Sequence, residues 1–270
     1  SRTGRNQPST KACVLGGPKW TRFLIRPQPG KGLAFIDWAQ QEFGIAAALS
    51  GDANMQAAYL AGDPYMAFAI AAGAAPEGAT RESHPDVREQ CKACALGVQY
   101  GIGATSLGRM LDVPPSTAQR LLQRHRALYP TFWRWLDGVE AEGLLQGRLQ
   151  SVFGWQVAVG ADDNPRFLRN FPMQANGAEM LRLACCLVTE AGIRVCAPLH
   201  DALLIEAPLS DLDTAITETQ RLMAQASSTV LDGFPLRSEV RCVRHPGRLG
   251  DDRDRAIWRV VEKTIDEGGA

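Results

Sequence analysis

Residues 195–208 read VCAPLHDALLIEAP, two apolar runs that meet at the charged pair His200-Asp201. Apolar runs on either side of a two-residue polar break predict a β-hairpin. Its tip is where an otherwise buried sheet can offer a carboxylate to solvent. Asp is also a common turn residue, so the stretch alone leaves two readings open: a plain turn, or a carboxylate on display. A second strand-like run, LAFI at 33–36, ends at Asp37. The plain reading of Asp37 is a cap for a helix starting near Gln40. The other reading is a sheet that brings Asp37 and Asp201 together from distant parts of the chain. Two carboxylates completed by water and substrate phosphates make a Mg²⁺ site suited to phosphoryl transfer.

Working outward, residues 1–30 are rich in Gly, Pro and basic residues and predict a loop, or an arm lying on something else. Helical patterns cover 40–49, 54–60 and 64–72, the last with Pro64 at its start, where a missing N–H costs nothing. A linker at 73–85 precedes helices at 86–99, then on to 111 after a break near Gly101 and Gly103, and at 116–128 and 131–145. A hairpin around Gly154, a helix from Pro172 to Ala191, the hairpin above, a helix over 211–231 and a strand over 236–243 complete the pattern before a charged tail. Strands toward both ends and helices between them predict an α/β (α+β) domain interrupted by a helical insertion over residues 60–130.

The bulk numbers exclude rather than select. The 270 residues are 45% apolar and 21% charged, ordinary for a soluble globular protein. No apolar run approaches a membrane span and no leader pattern opens the chain, so a cytoplasmic protein is expected; Ser1 in place of Met suggests a processed or excised product. Lys plus Arg and Asp plus Glu each number 29, so net charge gives no reason to expect nucleic acid. Arg120, Arg124, His125, Arg126 and Arg134 do alternate with Tyr129, Phe132, Trp133 and Trp135. That mixture suits base and backbone contact, and it suits an amphipathic helix with a solvated face equally well. The chain has seven cysteines, and the one C-x-x-C, Cys91 to Cys94, has no second pair. These cysteines read as small buried hydrophobes and not as a zinc site.

The stretch DVREQCKACALGVQYG (86–101) is more specific. Arg88, Lys92, Leu96 and Tyr100 recur every fourth residue and share one slowly drifting stripe of a helix. Two cations a turn apart, then an aromatic, are a plausible clamp for a triphosphate and a platform for a base. Gly97 and Gly101 each cost a helix about 1 kcal/mol relative to Ala, which suggests that something approaches closely there.

These segments resemble the polymerase module of family A, DNA polymerase I-like, DNA polymerases. DWAQQE (37–42) resembles the first motif, D-Y-S-Q-I-E, and residues 88–101 resemble the fingers-helix motif R-x-x-x-K-x-x-x-[FY]-G-x-x-Y-G. RFLRNFPMQANGAEM (166–180) resembles R-x-x-x-N-x-P-x-Q-G-x-x-A-[DE], LHDALLIEAP (199–208) resembles the H-D-E motif, and TGRNQPS (3–9) resembles the T-G-R-L-S-S opening of the palm. The motifs stand in the family's order. The resemblance implies a right-hand palm with a small antiparallel sheet. It divides the chain into palm at 1–60 with the N-terminal arm, helical fingers at 61–130, palm again at 131–245, and a tail at 246–270. The family's thumb and proofreading exonuclease are expected to be absent from this stretch, which is then a fragment or has its thumb on another piece.

The resemblance also implies roles. Asp37, Asp201 and the Trp38 carbonyl would hold two Mg²⁺ ions, for which Mn²⁺ can substitute. Arg88 and Lys92 would neutralise the triphosphate, with Lys92 protonating pyrophosphate. Leu96, Tyr65, Gln40 and Tyr100 would line the nucleotide site, and Glu42 would exclude a ribose 2′-hydroxyl. Arg5, Arg166, Asn170 and Gln174 would contact primer-template DNA, with His200 bracing the primer terminus. The implied partners are primer-template DNA and dNTPs in replication or repair at the nucleoid, with no membrane, and a thumb or exonuclease portion or a processivity partner besides.

Three departures stand out. Ala202 replaces the third motif's Glu, Leu96 replaces the Phe or Tyr that packs on the incoming sugar, and Tyr65 stands where the family often carries His. Two other readings remain. A single-subunit RNA polymerase shares the aspartates and the Arg/Lys helix but typically has a small residue at the position of Glu42. A non-catalytic polymerase-like DNA-binding module is expected to have lost its metal aspartates first.

Overall fold

A computed structural model describes residues 1–6, 14–251 and 254–268 of the chain. Residues 7–9 of the TGRNQPS stretch lie outside the described residues. Strand β1, Lys31–Trp38, is buried on both faces, which makes it a central strand. A left-handed Gln40 then starts α1, Gln41–Ser50, ahead of α2, Ala53–Leu60, and α3, Pro64–Ala71. The helical insertion continues with α4, Pro85–Gln99, α5, Ala104–Leu111, and α6, Pro115–Leu128; α7, Pro130–Gln146, leads back. One carboxylate ties this layer together. Asp52 Oδ1 accepts from the Asn54 and Met55 amides to cap α2, and its Oδ2 accepts from the Thr131 and Phe132 amides at the start of α7. Each such cap is worth about 1 kcal/mol, so this buried acid stabilises two helix starts at once.

A two-stranded ribbon of β2, Arg148–Gln150, and β3, Gln156–Ala158, precedes α8, Pro165–Glu190. The hairpin follows as β4, Arg194–Leu199, and β5, Ala202–Pro208, then α9, Leu212–Val230, and β6, Ser238–Arg244. These strands form an antiparallel sheet in the order β4-β5-β1-β6. Alternation along β1 divides the core. Ala34, Ile36 and Trp38 join the main cluster with α8 and α9, and Leu33 and Phe35 meet Leu15 and Leu249 on the other face.

The structure corrects the sequence reading in two places and decides a third that the sequence left open. Pro172 does not begin its helix: α8 starts seven residues earlier, with Pro165 in its first turn and Asn164 accepting the Arg166 amide. Pro172 lies buried inside α8, where it removes the N–H that the Leu168 carbonyl would otherwise accept. The charged tail is a helix, α10, Arg255–Gly268, whose Trp258 stacks on Phe23 of the arm at 5.6 Å. The aromatics near Arg120–Arg134 are core, since Tyr129 and Phe132 are buried with His125 against Phe68; they form no stacking platform.

Candidate active site

Sheet register brings the two aspartates together. Asp37 stands opposite Ala202 across β1 and β5, and the Trp38 amide donates to the Asp201 carbonyl at 3.1 Å. Both carboxylates are half-buried and line two cavities, of about 340 and 240 Å³. Burial, then the charge of Asp201, raises the Asp37 pKa to about 6. Burial raises Asp201 too, against the opposing pull of Arg5. Neighbouring carboxylates that each resist ionisation are relieved by a bound cation. Among the described residues no group of three or more His, Cys, Asp or Glu could hold a metal ion. An ion held by this pair therefore takes most of its ligands from water and substrate oxygens, which fits Mg²⁺. Trp38 lines the larger cavity beside Asp37.

The backbone around the pair is strained. His200 at the hairpin tip has φ +54° and Gln40 has φ +48°, and neither is glycine. A left-handed L-residue costs about 1 kcal/mol, and such positions concentrate at functional sites. Gln40 Oε1 accepts from Arg237 at 3.2 Å, while His200 is exposed.

The larger cavity is walled toward α4 by Arg5, Gln40, Glu42, Tyr65 and Leu96. Glu42 sits in a polar knot. The Tyr100 hydroxyl donates to its Oε1 at 3.4 Å, and Gln174 Nε2 donates to that oxygen and, at 3.1 Å, to the Tyr100 hydroxyl. Arg5 donates to Gln41 Oε1 at 3.2 Å and to the Gln174 carbonyl at 3.3 Å, and lies 4.0 Å from Glu42. Asn170 is buried with its Nδ2 unpartnered. Arg166, exposed in the first turn of α8, lines an apolar groove with Leu96, Gly97 and Tyr100. Tyr65 is buried, and burial raises its pKa and keeps it protonated.

Arg88 and Lys92 are not among the residues lining the aspartate cavity. Arg88 donates to Asp63 at 2.5 Å and to Glu89 at 2.9 Å, with its guanidinium over the Tyr65 ring, and Lys92 lies 3.4 Å from the other Glu89 oxygen. Gly97 has an internal reason: a Cβ there would meet Ile102 at 2.7 Å, so what approaches is the chain itself. Gly101 is explained by its φ of +65°, just past the helix. Cys91 and Cys94 are buried, with thiol pKa values raised by burial.

The model of DNA polymerase family A matches residues 17–245. The chain belongs to DNA polymerase family A. This family A chain is 28% identical over 196 residues to the thermostable DNA polymerase I of Thermus thermophilus, covering 67% of itself and 23% of that protein. It is 27% identical over 226 residues to the DNA polymerase of Mycobacterium phage D29, covering 82% of itself and 36% of that protein. It thus spans about a quarter to a third of the length of these curated relatives. Its fold matches the POL domain of Pol1 from M. smegmatis, solved with DNA primer-template and dNTP, at a TM-score of 0.80 and 22% identity, covering 92% of this chain and 46% of that one.

Sequence reasoning missed Arg22, Arg241 and Glu239. Arg22 and Arg241 line the smaller cavity with both aspartates, and Glu239 stands opposite Asp37 on β6. Arg22 lies in the arm, where no periodicity signals structure. Arg241 and Glu239 alternate on β6, and the signal available there was the strand's period of two.

Proposed function

We propose that this chain is the palm-and-fingers portion of a DNA-directed DNA polymerase that transfers a nucleotide from a dNTP to a primer 3′-hydroxyl and releases pyrophosphate. The juxtaposition of Asp37 and Asp201, distant in sequence and brought together where β1 pairs with β5, carries the reading. Asp37, Asp201 and the Trp38 carbonyl are the proposed ligands for two Mg²⁺ ions, with Mn²⁺ able to substitute. Bound there, the ions lower the pKa of the primer hydroxyl and neutralise charge on the departing pyrophosphate.

The protein's own groups bind and orient. Arg88 and Lys92 exchange Asp63 and Glu89 for triphosphate oxygens, and Lys92 Nζ supplies a proton to pyrophosphate. Tyr65, Leu96 and Gln40 wall the nucleotide side. Tyr100 leaves Glu42 to stack near the templating base, and Glu42, held by Gln174, excludes a 2′-hydroxyl. That hydrogen-bonded network, half-buried at Glu42 and Gln174, supports deoxyribonucleotides over ribonucleotides. Arg5, Arg166, Asn170 and Gln174 are the proposed primer-template contacts, the amides donating to minor-groove acceptors present on every base pair, with His200 at the primer terminus. Residues 61–130 serve as fingers between the two palm segments.

Primer extension with Mg²⁺ and dNTPs tests this. The unaltered chain is expected to extend a primed template. Asp37→Ala and Asp201→Ala are expected to lose extension by at least a hundredfold, on the order of removing a main electrostatic stabiliser, while DNA binding persists. Turnover retained in either variant rules out the metal role.

A further inference from the structure

The smaller cavity holds cations that the proposed reaction leaves unused. Lys19, Arg22 and Arg241 face Asp37, Asp201 and Asp251 across about 240 Å³. Arg22 comes from a 3₁₀ turn at Lys19–Leu24, and Arg241 from β6, where it pairs with Phe35. Both guanidiniums lie over the Phe35 ring, at 5.4 and 5.7 Å from its centroid. Two like charges on one ring repel, against the pull that Asp254, Asp251 and Asp37 exert on Arg22. The ion pair of Arg241 with Asp251 is long, 3.5 Å, and Arg22 Nε is buried with no hydrogen-bond partner. Burial, then the Arg241 charge, weakens Arg22's hold on its proton. A buried charged donor without an acceptor is costly until one arrives.

Position says what arrives. Phe35 and Asp37 alternate onto the same sheet face, so the guanidinium pair lies roughly 7 Å along β1 from the aspartate. It lines the cavity that Glu42 and Leu96 do not, so it is separate from the walls of the proposed nucleotide site. With both aspartates engaged by cations, what remains on these walls is mainly positive. A strand whose 3′-hydroxyl sits at Asp37 and Asp201 carries its last phosphodiester within one nucleotide of that point. We propose that Arg22 and Arg241, with Lys19 at the rim, bind the 3′-terminal phosphodiester of the primer strand. The assignment rests on the polymerase reading of the two aspartates.

The test is equilibrium binding of a fluorescent primer-template to the whole chain without dNTP. The terminal primer linkage is either native or an uncharged methylphosphonate. The unaltered chain should bind the neutral linkage about tenfold more weakly, with the slope of log affinity against log salt reduced by about 1. Arg22→Gln and Arg241→Gln should each weaken binding of native DNA and lose most of the discrimination between linkages, and Arg241→Lys should restore part of it. Indifference of the unaltered chain to the linkage overturns the site, as do losses from variant and linkage that simply multiply. The substitution in the DNA needs no altered protein, so misfolding cannot imitate it. Normal extension of native primers together with indifference to the linkage defeats this site alone. Failure to bind primed DNA and to extend it defeats the site and the polymerase reading together.

Discussion

Asp37 sets folding against chemistry. Its carboxylate is raised to about 6 because burial and Asp201 both oppose its charge, so in the metal-free protein the ionised form costs stability. The sign follows from proton counting. Between the unfolded value near 3.9 and the folded value of about 6 the native state binds more protons, and this contribution worsens as pH rises through that window. Asp37→Asn removes the charge and keeps the shape. It should raise stability at pH 8 by about 1 kcal/mol after allowing for solvent screening, and by nothing below pH 4. Denaturant unfolding of metal-free protein at the two pH values measures this; equal or lower stability of the variant at pH 8 contradicts it. The same residue shows what a sequence can disclose. Asp37 and Asp201 stood out because apolar runs end on them. Arg22 and Arg241 did not, because the ring that gathers them, Phe35, reveals its neighbours only through strand register and the path of the arm.

At the scale of elements, α4 shows how one helix can carry a site and restrain it. The four-residue spacing of Arg88 and Lys92 was visible directly, but their partners were not. Asp63 reaches Arg88 from the N-terminus of α3, and Glu89, adjacent in sequence, bridges both cations. If the two cations take a triphosphate, Glu89 competes for the same charges. It is 60% exposed, so each pair is worth a few tenths to 1 kcal/mol. Glu89→Gln should therefore lower the KM for dNTP about two- to tenfold with kcat nearly unchanged. Steady-state extension kinetics decide the point, and a KM that stays constant or rises would show that Glu89 does not compete. Helix α8 teaches the opposite lesson. Proline read as a start signal placed its beginning at Pro172, because an internal proline forfeits a backbone bond. Pro172 is buried inside α8, and the packing that holds it there exists only once the helix has formed.

Across the whole molecule, the order of strands and helices was readable, while the contacts that close the ends onto the sheet were not. Trp258 of α10 against Phe23 of the arm is a pairing without local periodicity to announce it. Within the helical layer the same holds for His125, which looked like one member of a basic stretch. It is instead packed among Phe68, Tyr129, Phe132 and Trp133. Trp133 Nε1 donates to His125 Nδ1 at 3.1 Å, so the neutral ring carries its proton on Nε2, which is buried without a partner. Burial lowers its pKa to about 3. From there up to the unfolded value of about 6.5 the unfolded chain binds the extra proton, so this group's contribution falls as pH drops. Between pH 7 and pH 5 the loss should approach 2 kcal/mol, partly offset by Asp37, whose slope has the other sign. His125→Leu is expected to be less stable at pH 7, because it gives up the Trp133 bond, yet flatter with pH. Urea unfolding of both proteins at pH 7, 6 and 5 separates the two effects, since parallel pH slopes would mean that His125 takes up a proton in the folded state and the aromatic cluster opens to admit it.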